Sequence, residues 1–269
     1  MKKDTITKLK QLKNNLKQMK RVAIAYSGGV DSTFLVSVAY EVLQDNAVAI
    51  TATSSTYPQR ELKQAKQYAK QIGIRHILFN SDETSIKGFS KNLPNRCYLC
   101  KKELFTKIVQ IAKNNNLDFV VDGSNKDDTA DYRPGTKALQ ELSIISPLQQ
   151  VSLAKTEIKE LSKDMQLPNW DKPAFACLAS RFPYGIKITK PRLNQVEQAE
   201  SFLHTLNIKQ FRVRYHNDIA RIEVEKKDFP LILKHSDEIV QNFKKLGFSY
   251  ITLDIQGYRM GSLNEGIHL

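Results

Sequence analysis

Residues 21–32 read Arg21-Val22-Ala23-Ile24-Ala25-Tyr26-Ser27-Gly28-Gly29-Val30-Asp31-Ser32. The run up to Tyr26 is short and apolar, as a buried strand requires, and Phe34, Leu35, Val38, Ala39 and Leu43 then recur at helical spacing. Between strand and helix, Gly28 and Gly29 let the backbone turn tightly and approach a ligand with no Cβ in the way. A loop that opens a helix offers unbonded N–H groups and the positive end of the helix dipole, which together favour an anion such as phosphate. Ser27 and Ser32 add hydroxyl donors, and Asp31, which would repel bare phosphate, reads as acting through Mg²⁺. The plain structural alternative is a Gly-Gly turn in which Asp31 or Ser32 merely caps the helix.

Working outward, the pattern predicts strands over 47–53, 76–79 and 119–122, and helices over 59–72 and 101–114. Polar stretches at 80–95 and 123–135 read as loops. Strands alternating with helices imply right-handed βαβ units, hence an α/β, doubly wound parallel sheet. Ligands in such sheets bind at the carboxyl ends of the strands, so the Ser27–Ser32 loop, Ser54 and residues 123–131, with Gly123 and Asp128, are expected to converge there. Beyond about Pro183 the pattern changes: a helix over 193–206, strands over 211–215 and 220–224 joined through His216-Asn217-Asp218, a helix over 229–243 and a strand over 250–255. We read 1–185 as the nucleotide domain and 186–269 as a smaller α+β domain with an antiparallel sheet.

The 269-residue chain carries 41 Lys plus Arg against 28 Asp plus Glu, a formal net charge of +13. That suits nucleotides or other polyanions, although part of it is solvated surface. The opening helix sets Lys8, Lys10, Lys13, Lys17 and Lys20 around an apolar stripe of Ile6, Leu9, Leu12, Leu16 and Met19. No apolar run approaches the ~20 residues of a membrane helix, and the start of the chain lacks the apolar stretch of a secretory signal. The expectation is a cytoplasmic protein with no membrane partner.

Three cysteines, Cys97, Cys100 and Cys177, argue against a disulfide framework. Cys97 and Cys100 have the C-x-x-C spacing that lets two thiolates reach one metal, and Cys177 lies in the turn-rich stretch Cys177-Leu178-Ala179-Ser180-Arg181. Three thiolates are one short of a closed zinc or iron–sulfur site. The bland readings are a C-x-x-C at a helix start with no metal, and a buried Cys177.

The loop Ser27 to Ser32 is similar to the PP-loop of the ATP pyrophosphatase superfamily, whose domain is adenine nucleotide α-hydrolase-like. It is not a Walker A loop, since the Gly-Lys-Ser/Thr ending is absent. That resemblance implies cleavage of ATP between its α- and β-phosphates and adenylation of a substrate. Nearly the whole chain resembles the LarE family of ATP-dependent sulfur transferases in nickel-pincer nucleotide biosynthesis. The motifs are the PP-loop, Arg96-Cys97-Tyr98 to Lys102, Asp131-Tyr132-Arg133-Pro134-Gly135, Ser180-Arg181-Phe182-Pro183-Tyr184-Gly185, and Val213-Arg214-Tyr215-His216-Asn217-Asp218-Ile219-Ala220-Arg221-Ile222-Glu223. The family implies that a carboxylate of a pyridinium dicarboxylate mononucleotide is adenylated and that sulfur then displaces AMP. It also implies two forms of sulfur source: a 4Fe–4S cluster on Cys97, Cys100 and Cys177, which the three-cysteine pattern favours, or the sulfur of Cys177 itself.

By the same resemblance, ATP and its Mg²⁺ fall to Ser27, Gly28, Gly29, Asp31, Ser32, Ser54, Gly123 and Asp128. The substrate phosphate falls to Ser180, Arg212 and Arg214, the arginines sharing one strand face. Cys177, Arg181, Glu200 and Asp31 are the catalytic candidates, Arg181 as the cation nearest the sulfur, and Asp228 stands near a divalent ion. Solvated surface carboxylates remain an alternative for Glu200, Asp128 and Asp228. The implied partners are a small nucleotide substrate, a sulfur source and further copies of the chain, a homo-oligomer, rather than nucleic acid. Two competing readings stay open: a 4Fe–4S-dependent tRNA thiolase, and a non-catalytic ATP-binding or iron–sulfur sensor module.

Overall fold

In the computed structural model, which describes residues 3–129, 135–173, 175–259 and 261–262, the chain divides into two compact units. The first comprises Met1–Ser81 and Cys97–Phe175, the second Asp82–Arg96 and Ala176–Leu269.

The first unit opens with α1 (Lys3–Met19), β1 (Val22–Ala25), α2 (Val30–Leu43), β2 (Ala47–Thr53), α3 (Gln59–Ile72) and β3 (Arg75–Asn80). It resumes with α4 (Arg96–Asn114), whose first residue belongs to the second unit, then β4 (Phe119–Val121), α5 (Gly135–Glu141), α6 (Pro147–Gln150) and α7 (Lys155–Asp164). The four strands form a parallel sheet in the order β3-β2-β1-β4. The expected α/β fold is therefore borne out, with helices covering both faces through two apolar clusters. β1 is central and packed all round: Val22, Ala23 and Ile24 are fully buried, as are Phe34, Leu35, Val36, Val38 and Ala39 of α2. A helix apolar on every side holds its place only inside a core, and this one fixes the loop that precedes it. On α1 the stripe is real but shorter than expected, since Ile6 faces solvent while Thr5 is buried and donates to Glu157 Oε1.

The second unit holds α8 (Lys190–Thr205), β5 (Phe211–His216), β6 (Ile219–Val224), α9 (Phe229–Lys234), α10 (Ser236–Lys245) and β7 (Tyr250–Leu253). Its sheet runs β5-β6-β7. β5 and β6 form the expected antiparallel hairpin, with Asn217 in the left-handed region, but β6 and β7 are parallel. The antiparallel expectation is thus corrected to a mixed sheet. The cause is the connection: two helices between β6 and β7 return the chain to the starting edge, as a crossover does. The single helix expected over 229–243 is broken at His235 into α9 and α10.

Gly28 is the residue that β1, α2 and α3 constrain together. Its φ of 65° lies in the left-handed region, and an added Cβ would stand 2.8 Å from Ala65 Cβ. A Gly28→Ala variant should lose about 1–3 kcal/mol of stability from backbone strain and the clash. Adding Ala65→Gly should return only the clash component, because the backbone strain remains. Denaturant unfolding of the single and double variants measures the two parts.

Candidate functional site

The loop between β1 and α2 is tied back through its carbonyl groups. Tyr57 Oη donates to Ser27 O at 2.8 Å, Asn169 Nδ2 to Gly28 O at 3.1 Å, and Thr33 N and Ser32 Oγ to Gly29 O at 2.9 and 3.2 Å. With three successive carbonyls engaged, the loop offers donors rather than acceptors to an incoming ligand, which is what an anion requires. The Ser27 and Ser32 hydroxyl oxygens lie 3.1 Å apart. Ser54 follows β2 directly and pairs with the Thr56 hydroxyl at 3.0 Å. Gly123 follows β4 so closely that a Cβ there would come within 3.0 Å of Ser32 N at the start of α2. The structure therefore gathers Ser27, Gly28, Gly29, Asp31, Ser32 and Gly123 at the carboxyl edge of the sheet, with the Ser54 loop tethered through Tyr57.

Asp31 meets two groups that the sequence reading did not include. Lys155 Nζ contacts both carboxylate oxygens at 2.6 and 2.7 Å, and Asn125 Nδ2 reaches Oδ2 at 3.4 Å. Burial pushes the Asp31 carboxyl above its ordinary value; the Lys155 ammonium opposes that shift and the Asp128 carboxylate adds to it. Asp128 itself accepts from Asn125 N at 3.0 Å. Two carboxylates that raise one another beside a phosphate loop fit the donor set of Mg²⁺. Lys155 opens α7, where Glu157 Oε2 accepts from Ala154 N at 2.9 Å. An Ala-Lys-Thr-Glu stretch ahead of Ile158 and Leu161 carries half of a capping box, the signal that would have marked this helix start.

In the second unit a cavity of about 220 Å³ is lined by Arg96, Arg212, Arg214 and Arg259, with Ser180, Phe182, Tyr184, Tyr258 and Ser262 among the rest. No acidic side chain occurs among the described residues that line it. The carboxylates stand behind the arginines. Glu223 takes Arg214 Nη2 at 2.8 Å and Arg221 Nη2 at 2.9 Å. Arg214 also donates to Ser180 O and to the Ser262 hydroxyl. Arg212 packs on the Tyr258 ring, 5.3 Å from its centroid, and its pKa is pushed down to about 10, first by burial and then by the Arg181 charge.

Arg181 and Glu200 form a buried bidentate pair, Nε to Oε1 at 2.8 Å and Nη2 to Oε2 at 3.0 Å. Burial pushes the Glu200 carboxyl up, but Arg181 outweighs it and holds Glu200 below the usual carboxylate range. Glu200 also accepts from Val213 N at 3.0 Å. The remaining Arg181 nitrogen donates to Ala176 O at 2.7 Å and Cys177 O at 3.3 Å. Arg181 thus grips the backbone of the Cys177 turn while its charge is matched by Glu200. Glu200 is a buried ion-pair member, not a solvated surface carboxylate.

Cys177 is exposed at the head of a short 3-10 turn over Leu178–Arg181. Cys97 is exposed and Cys100 half-buried, one turn apart at the start of α4, so both thiols sit on one helical face. Cys97 and Cys100 belong to the first unit and Cys177 to the second. Among the described residues no three His, Cys, Asp or Glu side chains gather as a metal set. Asp228 is half-buried at the head of α9 and is not among the cavity residues. Residues 131–134 of the Asp131-to-Gly135 motif lie outside the described residues. No described helix is long and apolar enough to cross a membrane.

Comparison with known proteins adds three findings. The PP-loop domain family matches residues 1–92. An uncharacterized protein of Synechocystis is 43% identical over 96% of this chain and 97% of its own length. Pyridinium-3,5-bisthiocarboxylic acid mononucleotide synthase of Lactiplantibacillus plantarum is 38% identical over 96% of this chain and 94% of its own. A glutamine-hydrolyzing GMP synthase from Saccharolobus islandicus is more distant, at 24% over 80% of this chain and 65% of its own.

Two outcomes follow from this geometry. Lys155→Met should raise the Asp31 pKa further. An acid whose folded pKa exceeds its unfolded one makes the native state lose stability as pH rises between the two values. The variant should extend that loss to higher pH, and carboxyl NMR titration of both proteins reads the shift. Glu200→Ala, which leaves Arg181 charged and buried, should cost about 3–5 kcal/mol in denaturant unfolding.

Proposed function

The chain belongs to the LarE family, that of the pyridinium-3,5-bisthiocarboxylic acid mononucleotide synthases, and from that premise we propose that it is an ATP-dependent sulfur transferase. It adenylates a carboxylate of a pyridinium-3,5-biscarboxylate mononucleotide with release of pyrophosphate, and sulfur then replaces AMP to leave a thiocarboxylate. The observation that carries this reading is the pairing of two binding features in one chain. One is a phosphate-type loop with its carbonyls tied back, beside Asp31 and Lys155. The other is an all-arginine cavity suited to a small polyanion.

Ser27, Gly28, Gly29 and Ser32 supply the donors of the ATP site, and Asp31 with Asp128 would hold the Mg²⁺ that neutralises the phosphates. Lys155 serves the same site, since its ammonium can turn from Asp31 to phosphate oxygens when the carboxylate takes metal. Ser54 and Gly123 border the nucleotide. In the second unit Arg212, Arg214 and Ser180 bind the substrate phosphate. Arg181 and Glu200 are positioning residues, fixing the Cys177 turn and β5 to one another through buried hydrogen bonds. Cys97 and Cys100 on one face of α4, together with Cys177, are the candidate ligands of a 4Fe–4S cluster. When bound, such a cluster supplies a renewable sulfur nucleophile; without it the sulfur is that of Cys177. Three protein thiolates suit a cluster that keeps one iron open.

The test is coupled pyrophosphate release from ATP and the dicarboxylate mononucleotide, with iron and sulfide quantified in anaerobically reconstituted protein and in Cys97→Ala. Substrate-dependent pyrophosphate with about four irons per chain, lost in the variant, is the expected result. Pyrophosphate release without iron would move the sulfur to Cys177, whose mass should then fall by that of hydrogen sulfide after turnover. No substrate-dependent pyrophosphate would overturn the adenylation reading.

A further inference from the structure

Among the described residues lining the cavity, Arg96 is the arginine brought in from the excursion Asp82–Arg96 rather than from the C-terminal part of the second unit. It is 5% exposed, and Asn92, one helical turn earlier, is fully buried. Asn92 adopts φ 54° and sends its Nδ2 to Phe182 O at 3.1 Å and Pro183 O at 2.7 Å, while its own carbonyl takes Gly185 N. That leaves Asn92 Oδ1 to accept from Arg96 Nη1, which also donates to Ala179 O at 2.9 Å. The guanidinium lies over the Tyr184 ring, 5.8 Å from its centroid, and Phe182 and Tyr184 line the same cavity. Arg96 is therefore locked in place before any ligand arrives, so binding costs it little side-chain entropy.

Four guanidinium groups and no acid exceed what one phosphate monoester needs. Arg212 and Arg214, two residues apart on β5, make a forked phosphate seat with Ser180. Arg96 comes from another element and stands beside an aromatic wall. A flat ring laid against that wall would bring a ring carboxylate to the guanidinium edge, where a planar fork meets a planar acid.

We propose that Arg96, held by Asn92, binds the substrate carboxylate that is not adenylated and so selects a dicarboxylate ring over a monocarboxylate one. This rests on the substrate class given under Proposed function. Two charge-assisted hydrogen bonds correspond to roughly tenfold to a hundredfold in affinity.

Calorimetry on the full chain tests this with four probes. They are the pyridinium-3,5-biscarboxylate mononucleotide, its monocarboxylate counterpart, the analogue with one carboxylate converted to a carboxamide, and inorganic phosphate. Wild type should bind the dicarboxylate about tenfold or more tightly than either single-carboxylate ligand; equal affinities overturn the proposal with no variant needed. Arg96→Gln should erase the preference while phosphate affinity stays within about twofold, and Arg96→Lys, which keeps charge but not the fork, should keep only part of it. A folded Arg96→Gln that retains the preference, or loses phosphate and every mononucleotide alike, overturns it. Pyrophosphate release reports separately: a wild type that shows the binding preference but releases none sinks the adenylation reading and leaves Arg96 its role.

Discussion

The turn from β1 into α2 is pressed against α3 so tightly that Gly28 has no room for a side chain. Everything in the nucleotide unit follows from that approach. β1 sits at the centre of the sheet, with β2 on one side and β4 on the other, so the loops after all three strands open at one edge. The buried helix α2 cannot shift to relieve the turn, because its core residues are closed in on every side. The strain is met by hydrogen bonds from outside the loop: Tyr57 beyond β2 and Asn169 beyond α7 draw the Ser27 and Gly28 carbonyls away. A loop built this way is a set of donors held in advance, which spares the reorganisation that water would need to solvate a phosphate.

The second unit solves a different electrostatic problem. Arginines crowded at a cavity repel one another, and burial of Arg212 weakens its hold on the proton. The fold places Glu200 and Glu223 behind the cavity rather than in it. Each carboxylate is buried and fully engaged by guanidinium or backbone donors, so it offsets the cost of the charges without presenting a negative group to the ligand. The front stays positive and the back is neutralised. Ser262 ties both sides together, donating to Glu223 and accepting from Arg214.

Most of the nucleotide fold was legible because its evidence is local. The apolar run over 22–25, the Gly-Gly turn and the helical spacing after it name a strand, a loop and a helix without reference to anything distant. The order of the following strands could be read the same way. What escaped was set by tertiary contact. Lys155 lies 124 positions from Asp31, in a segment whose helices α5 and α6 are too short to show a period. The mixed C-terminal sheet was misread because alternation reveals a strand but not its direction; the two helices before β7 hold that information. Arg96 and Asn92 escaped for the same reason as Lys155. A polar stretch between a strand and a helix reads as loop, and only the folded chain reveals that it is fastened to the turn over 179–185.

Arg181 illustrates how sequence proximity misleads about electrostatic roles. Four residues after Cys177, it is the obvious cation to stabilise a sulfur anion. Its guanidinium is fully buried, two of its nitrogens are taken by Glu200, and the third holds the carbonyls of Ala176 and Cys177. A charge matched at 2.8 Å by a carboxylate has little field left for a neighbour. What Arg181 gives Cys177 is therefore direction: by fixing the two carbonyls it fixes the backbone from which the exposed Sγ projects. The reactivity of that sulfur must then come from what binds beside it, while the pair Arg181–Glu200 keeps the turn in register with β5.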